Sequence, residues 1–212
     1  CEAYHMMGTL LKYKPPKMHQ IFAEWNKGEL DSYLIEITRD ILAKNDDETG
    51  KPIVVVLLNG SALSVNWANE HAAAMVEAWY PGESGGIAVA DVLFGDYNPG
   101  GRLPFTFYKS IADLPAFDDY DIYKGRTYMY FKGEPLYPFG YGLSYTTFAY
   151  SNLRLSADHL ALNGSLTIHA DVTNSGARTG DEVVQLYVRH LGSTVERPKK
   201  ELKGFERITL QP

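Results

Sequence analysis

Cysteine is the scarcest residue in this chain of 212 residues, where it occurs once, as Cys1. A single cysteine excludes an internal disulfide and leaves no CxxC pair for structural zinc or redox chemistry. The longest apolar run, residues 53–58, is far shorter than the roughly 20 residues that a membrane-spanning helix needs. The six histidines show neither close metal-ligand spacing nor an HExxH motif. We therefore predict no metal, no other cofactor and no membrane segment.

Positive charge is also sparse, because 20 Lys and Arg residues accompany 26 Asp and Glu residues, for a formal net charge of −6. Without a basic run, the sequence lacks the charge pattern of a nucleic-acid-binding protein. The apolar share of 45% is that of a globular protein able to bury a core. The chain begins with Cys1, and its first residues lack the features of a signal peptide. We expect a segment of a longer protein, and the compartment is left open.

The spacing of apolar residues predicts alternating helices and strands in the first half of the chain. An amphipathic helix is predicted from Glu29 to the polar run that starts at Asn45. The β-branched run at residues 52–58 predicts a strand buried on both faces of a parallel sheet. Further helices are predicted at residues 67–79 and 84–94, and a short strand at residues 102–107. Gly95 suits a left-handed helix cap, and the alternation is typical of an α/β domain.

After Phe148 the apolar pattern changes to a period of two residues, which predicts β-strands. The strands are predicted at residues 148–155, 166–172, 183–189 and 201–210. The turn at residues 174–180 makes the second and third strands adjacent antiparallel partners. These strands are fewer than the roughly seven of an immunoglobulin-like sandwich, so we expect a truncated sandwich. Its open edges predict association with another chain, and a homo-oligomer is left open.

The segment at residues 128–148 interleaves aromatic residues with glycine and proline. Glycine permits turns that bulky residues resist, and proline fixes φ and removes a backbone donor. The pattern therefore predicts an irregular, packed connector. We interpret it mainly as aromatic packing between two domains, with Tyr137, Phe139 and Tyr141 largely buried. A row of exposed rings that stacks on sugars is the alternative.

Two segments are candidates for a binding site, because ligands gather in open α/β sheets where strand carboxyl ends meet helix amino ends. Residues 59–61 directly follow the apolar strand, and residues 80–84 precede a helix. The substrate-binding candidates are therefore Asn59 and Glu83. A turn also explains Asn59, and a favourable interaction with the helix dipole also explains Glu83. No GxSxG elbow or Walker lysine accompanies either residue.

Five motifs follow one another in a fixed order: residues 51–60, 79–86, 90–104, the aromatic connector and residues 182–187. From about Lys51 to Pro212, the sequence resembles glycoside hydrolase family 3, the β-glucosidases and β-xylosidases. The resemblance implies an α/β sandwich fragment followed by an all-β immunoglobulin-like or fibronectin-III-like sandwich. It divides the chain into a poorly matched N-terminal segment (1–50), the C-terminal part of the α/β sandwich domain (51–127), the connector (128–147) and an incomplete fibronectin-III-like domain (148–212).

The resemblance implies retaining, exo-acting hydrolysis of β-D-xylosides or β-D-glucosides by a full-length enzyme, with a β-linked oligosaccharide or glycoside as its ligand. Residues 125–128 look more like the β-xylosidase relatives. In the family the nucleophilic Asp belongs to an N-terminal barrel domain, which has no match here, so this chain alone is expected to be inactive. Glu24, Glu29 and Glu36 do not match the pattern expected around the general acid, and the catalytic residues stay unassigned. An extracellular or periplasmic location is implied.

Glycoside hydrolysis usually takes two carboxylates, but among 26 acidic residues a pair alone identifies nothing. Asp118, Asp119 and Asp121 lie in a polar loop, and residues 46–48 form a charged turn; we interpret both as solvated surface. Two functions are left open. The chain is either the C-terminal portion of a β-glycosidase, shaping the sugar site and supporting the fold, or a noncatalytic carbohydrate-binding or structural module.

Overall fold

The computed structural model describes Lys14, Pro16, Lys17, Gln20 and residues 52–212. The predicted helix from Glu29 and the charged turn at residues 46–48 lie outside these residues. Within the compact unit Val54–Pro212, the elements in chain order are β1 (Val54–Leu57), α1 (Asn66–His71), β2 (Ala74–Glu77), α2 (Gly85–Phe94), α3 (Thr127–Tyr130), β3 (Phe148–Leu155), β4 (Ile168–Asn174), β5 (Gly180–Val188) and β6 (Glu201–Leu210).

β1 and β2 form a parallel pair, and α1 lies between them in the chain and packs against β2. This is the βαβ connection that parallel strands require. The predicted strand at residues 52–58 is confirmed at Val54–Leu57. Burial on both of its faces is not found, since Val54 is 43% exposed and the other three residues are half-buried.

The predicted helix at residues 67–79 is wrong beyond His71. The backbone becomes extended at Ala72, and Ala74–Glu77 pairs with β1 instead. Alanine favours a helix, but hydrogen bonding and packing against β1 outweigh that local preference. The spacing that suggested one long helix belongs to a short helix followed by a strand.

α2 confirms the predicted helix at residues 84–94, and Gly95 ends it with a φ of 85°. This left-handed conformation is the one that glycine adopts without strain at a helix C-terminus. Gly85 is buried at the start of the helix, where an added Cβ would lie 2.6 Å from the Pro81 ring. The small residue therefore lets the turn before α2 pack closely on the helix.

The predicted strand at residues 102–107 is not a regular strand. Its backbone pairs with the connector at isolated points: Leu103 N donates to Tyr141 O at 2.8 Å, and Phe107 N donates to Tyr137 O at 2.9 Å. A bend at Pro104 interrupts the ladder, because proline has no N–H to donate. The segment nevertheless holds the connector in place.

The connector packs around a small aromatic core. Phe107, Tyr130 and Phe131 are buried, and the Tyr108 ring meets Phe131 edge-on at 4.9 Å between centroids. Edge-on pairs of this kind are favoured by the charge distribution of aromatic rings. The irregular, packed segment predicted from the glycines and prolines is confirmed.

The burial expected for the connector tyrosines and Phe139 is found only in part. Tyr137 and Phe139 are half-buried, and Tyr141 is 38% exposed. The rings stack in pairs instead: Tyr137 on Tyr141 at 5.3 Å, and Phe139 on Tyr128 at 4.3 Å. Tyr128 also meets the ring of Tyr187 in β5 edge-on. The connector therefore contacts the segment that holds β3 to β6, called the β part below, through an aromatic ring.

The β part consists of two antiparallel pairs, β3–β4 and β5–β6. The prediction that residues 166–172 and 183–189 are adjacent partners is wrong, because the turn between them carries the chain from one pair to the other. Buried Asn174 holds this turn: its Oδ1 accepts from Thr146 Oγ1 at 2.6 Å, and its Nδ2 donates to Arg178 O at 2.7 Å. Alternation alone does not specify the partner of a strand. In residues 52–212 the sheets have two strands each, and none closes into a barrel.

Candidate functional site

The carboxyl ends of β1 and β2 bring Asn59 and Glu77 together. Leu57 lies opposite Glu77 in the parallel register, so Asn59 leaves β1 beside the end of β2. Glu77 Oε1 accepts the backbone N–H of Trp79 at 3.1 Å, and Asn59 Nδ2 donates to Ser61 O at 2.5 Å. Both side chains are half-buried. The edge selected by topology therefore carries a carboxyl group and an amide side by side.

Burial raises the pKa of the Glu77 carboxyl above its ordinary value of 4.5, because desolvation disfavours the charged form. The Trp79 N–H and the Asn59 side chain lower this pKa, but their effect is smaller. Glu77 Oε2 and Asn59 Oδ1 are buried and have no hydrogen-bond partner among the described residues. The Glu77 carboxyl is therefore partly desolvated, and one of its two oxygens has no hydrogen-bond partner among the described residues.

The turn after β2 is strained and lies against residues 59–61. Trp79 has a φ of 52°, a left-handed conformation that is rare for a bulky residue. The Tyr80 ring packs over Gly60, where an added Cβ would lie 2.6 Å from ring carbon Cε2. The two candidate segments are thus in contact.

Glu83 lies in the same turn, one residue before Ser84, the N-cap of α2. Its side chain is exposed, and Ser84 makes no side-chain capping hydrogen bond. A carboxylate in this position is stabilised by the partial positive charge at the start of the helix. Asn59 and Glu77 therefore lie side by side, whereas the Glu83 side chain in the same turn is exposed to solvent.

A cavity of about 540 Å³ lies next to this edge. Its wall is largely apolar and includes the rings of Trp79, Phe107, Tyr137 and Tyr141, with Glu77 among the polar residues. Small-molecule sites have volumes of this order and a similar balance of apolar walls and few polar groups. Such a wall can hold the apolar face of a pyranose ring while polar groups bind its hydroxyls.

The acidic loop at residues 118–121 does not join this edge. Asp119 pairs with Lys124 at 2.6 Å, and this hydrogen bond lowers the pKa of Asp119. Asp121 Oδ1 accepts from Tyr123 N at 3.0 Å and caps a single 3₁₀ turn, and Asp118 is exposed. The interpretation as solvated surface is confirmed for Asp118 and Asp121, which are exposed, whereas Asp119 is half-buried in its ion pair.

Metal-binding and membrane-spanning features are not found in the part of the chain that the structure describes. Within it, no three His, Cys, Asp or Glu side chains are placed to share a metal ion. No helix there is long and apolar enough to cross a bilayer.

Sequence reasoning missed Glu77, because residues 67–79 were predicted to be one helix in which Glu77 is an ordinary polar position. The only signal was a single acidic residue between Val76 and Ala78, shortly before a Pro-Gly turn. A strand prediction at Ala74–Glu77 would have placed Glu77 at a carboxyl end.

Comparisons with known proteins agree with the motif order. The glycosyl hydrolase family 3 C-terminal domain matches residues 21–145, starting before Lys51, and a fibronectin type III-like domain matches residues 182–212. The chain is 45% identical over 176 residues to a periplasmic β-glucosidase of Salmonella typhimurium, covering 77% of this chain and 23% of the relative. It is 49% identical over 163 residues to a xylan 1,4-β-xylosidase of Xylanibacter ruminicola, covering 76% and 18%.

The solved structures give the same result. β-Glucosidase 3B from Thermotoga neapolitana, in complex with glucose, matches with a TM-score of 0.71 and 35% identity, over 82% of this chain and 26% of that one. The chain spans about a quarter of the length of the curated relatives it matches. Since the match at residues 21–145 covers more than half of the 212 residues, the chain belongs to glycosyl hydrolase family 3, with the C-terminal domain of that family followed by a fibronectin type III-like domain.

Proposed function

We propose that this chain is the C-terminal portion of a retaining β-glycosidase that removes single β-D-xylose or β-D-glucose units from chain ends. It shapes the sugar site and supports the fold, while the nucleophilic carboxylate comes from a barrel domain of the complete enzyme. The names of the relatives, which include β-glucosidases and β-xylosidases, support this proposal. A periplasmic or extracellular location follows by analogy with the periplasmic relative.

The observation that carries the proposal is the carboxyl edge of β1 and β2. The half-buried Glu77 lines a cavity whose wall includes Trp79 and Tyr141, and Asn59 lies beside Glu77. Polar groups next to aromatic faces are the combination that a pyranose ring requires. Asn59 and the exposed Glu83 are the residues that we propose to approach the substrate.

We also propose that the division of the chain follows function. Residues 51–127 belong to the α/β domain that forms the sugar site, residues 128–147 connect this domain to the β part, and residues 148–212 buttress it.

Each sheet in the β part has two strands with open edges, so we infer that further strands complete this sandwich. Until they do, the edges favour association with another chain. Sedimentation of the purified chain at increasing concentration tests this; a strictly monomeric chain would contradict it.

The test of the proposed function is hydrolysis of nitrophenyl β-xyloside and β-glucoside. The purified chain should show no turnover, because the nucleophile is expected outside it. The product of the complete reading frame that carries this chain should hydrolyse at least one of them if it includes the barrel. Turnover by the chain alone, lost on substitution of one of its own acidic residues, would contradict the proposal. So would a complete, folded product with an intact barrel and no activity on any β-glycoside.

A noncatalytic carbohydrate-binding module is the second candidate, and the stacked pair of Tyr137 and Tyr141 in the cavity wall favours it. If this function is correct, the chain alone should bind xylobiose or cellobiose in calorimetry. Tyr141→Ala should weaken binding, whereas Tyr120→Ala, in a loop where Tyr120 is 81% exposed, should not. Absence of binding by the chain alone would leave the enzyme portion as the better account.

A further inference from the structure

Two side chains at the carboxyl edge of β1 and β2 each carry one buried acceptor atom without a donor. Glu77 Oε2 and Asn59 Oδ1 have no hydrogen-bond partner among the described residues. The other polar atoms of both groups are engaged, with Trp79 N at 3.1 Å from Glu77 Oε1 and Ser61 O at 2.5 Å from Asn59 Nδ2. Acceptors that are buried without a donor are costly.

We propose that Glu77 is a positioning residue that acts as a neutral carboxylic acid, donating from its Oε2–H to Asn59 Oδ1 and so holding the Trp79 turn. One proton on Oε2 gives both atoms a partner and leaves the contacts to Trp79 and Ser61 intact. Trp79 has a φ of 52°, a conformation that persists only where neighbouring groups enforce it. The carboxyl that accepts its N–H is one of those groups.

The surroundings of Glu77 favour the neutral acid. Burial is the largest influence on its pKa and raises it, while the Trp79 N–H and the Asn59 side chain lower it less. The titratable and charged groups on the surrounding elements are Glu70 and His71 on α1, Tyr80 and Glu83 in the turn, and Arg102, Tyr137, Tyr141 and Tyr145 in the cavity wall. No charged side chain of the described residues is among the causes that shift this pKa. Arg102 is itself paired with Glu182 at 2.7 Å.

Loss of the proton changes the hydrogen bonds at this edge. An ionised Glu77 presents only acceptors, so the Asn59 amide must rotate to donate its Nδ2–H to the carboxylate. The amide then leaves Ser61 O without its donor. The turn between β1 and α1 and the turn after β2 therefore have two hydrogen-bond arrangements, and one proton selects between them.

The direct test is an NMR titration of the chain with labelled glutamate carboxyl carbons. The Glu77 signal should titrate with a midpoint above 4.5, and the backbone amide signal of Trp79 should move with the same midpoint. Glu134, whose side chain is 93% exposed, serves as the control and should leave the Trp79 signal unchanged. A Glu77 midpoint at or below the ordinary value, or a Trp79 amide that does not follow it, would overturn the proposal.

Glu77→Gln separates this role from ordinary packing, because glutamine mimics the neutral acid: Oε1 accepts from Trp79 and Nε2–H donates to Asn59. A raised carboxyl pKa makes the native chain lose stability as pH rises through it. The melting temperature of E77Q should therefore match that of the unmodified chain well below the Glu77 midpoint found by NMR, and equal or exceed it well above that midpoint.

Asn59→Ala provides the second arm, since it removes the acceptor of the proposed hydrogen bond. Any gain from E77Q at a pH above the Glu77 midpoint should disappear in the N59A background. An equal gain in that background would show that removal of a buried charge alone is responsible. That result, or a melting temperature of E77Q below that of the unmodified chain at the same pH, would overturn the proposal. Both arms use the chain itself and do not depend on the sugar chemistry proposed above.

Discussion

Arg102 and Glu182 form a largely buried ion pair between the α/β part and the β part: Arg102 Nη2 lies 2.7 Å from Glu182 Oε2, and each side chain is 11% exposed. The loop that carries Arg102 packs tightly on β5, because a Cβ added at Gly100 would lie 2.7 Å from Asp181 Cβ. Two of the sequence motifs, residues 90–104 and 182–187, therefore meet at this pair. The contact gives both motifs a structural role.

Arg102→Ala should lower the free energy of unfolding by about 3 to 5 kcal/mol, since it leaves the Glu182 carboxylate buried without its cation. Urea denaturation of the purified chain, followed by circular dichroism, measures this change. Lys203→Ala is the control, because the exposed Lys203–Glu201 pair lies on the surface of β6. Its loss should cost within about 0.5 kcal/mol.

A double variant tests whether the two charges are coupled. Arg102→Met with Glu182→Leu removes both charges at once, so no unpaired charge stays buried. The double variant should be more stable than Arg102→Met alone. If the double variant is as unstable as the sum of the two single variants, the pair is not coupled and the account of the interface is wrong.

Tyr150 should titrate late and should make stability fall in strong alkali. Desolvation, and then its hydrogen bond to Glu182 Oε1, raises the pKa of Tyr150 from 10.0 to about 12, although the residue as a whole is 52% exposed. The unfolded chain therefore loses this proton first, and native stability decreases as pH rises from 10.0 towards about 12. Ultraviolet titration of tyrosinate should show one fewer late-titrating tyrosine in Tyr150→Phe. The variant should also lose stability less steeply in this pH range; an unchanged slope would contradict the assignment.

Gly140 should not tolerate a side chain. It has a φ of 81°, and an added Cβ would lie 2.1 Å from Gln185 Oε1. Gly140→Ala should therefore cost at least about 2 kcal/mol, from left-handed strain together with the displaced glutamine. Gly86→Ala, in α2 with no atom within 4 Å of the added Cβ, should instead stabilise the chain by about 0.4 to 1 kcal/mol. Equal effects in thermal unfolding would contradict the geometry.

The fold could be predicted from sequence where a local feature determines the structure. The apolar run of β1, the small residues of α2 and the glycine cap at Gly95 each specify their own conformation. β2 could not be predicted in this way, because the residues Ala72-Ala73-Ala74 favour a helix locally and become extended only through pairing with β1. The partners of β4 and β5 could not be predicted either, because the turn between them is held in part by hydrogen bonds from Asn174 to Thr146 and Leu210, which are distant in the chain.

The position of the candidate site could be predicted from the sequence, but not every residue that forms it. Topology placed Asn59 and the turn before α2 at one edge, and the packing of Tyr80 over Gly60 agrees with this. Glu77 became visible only with the register of β1 and β2. Burial, which raises its pKa, depends on the surrounding fold and has no counterpart in the local sequence.

We propose that this chain supplies the C-terminal part of a β-glycosidase. This proposal is tested most directly by the activity of a chimera in which the matching 176-residue segment of the Salmonella periplasmic β-glucosidase is replaced by that of this chain. The same relative with the segment deleted is the control. We expect the chimera to hydrolyse nitrophenyl β-glucoside or β-xyloside and the deleted form to be inactive. A chimera that unfolds cooperatively, as a folded protein does, yet hydrolyses neither substrate would contradict the claim.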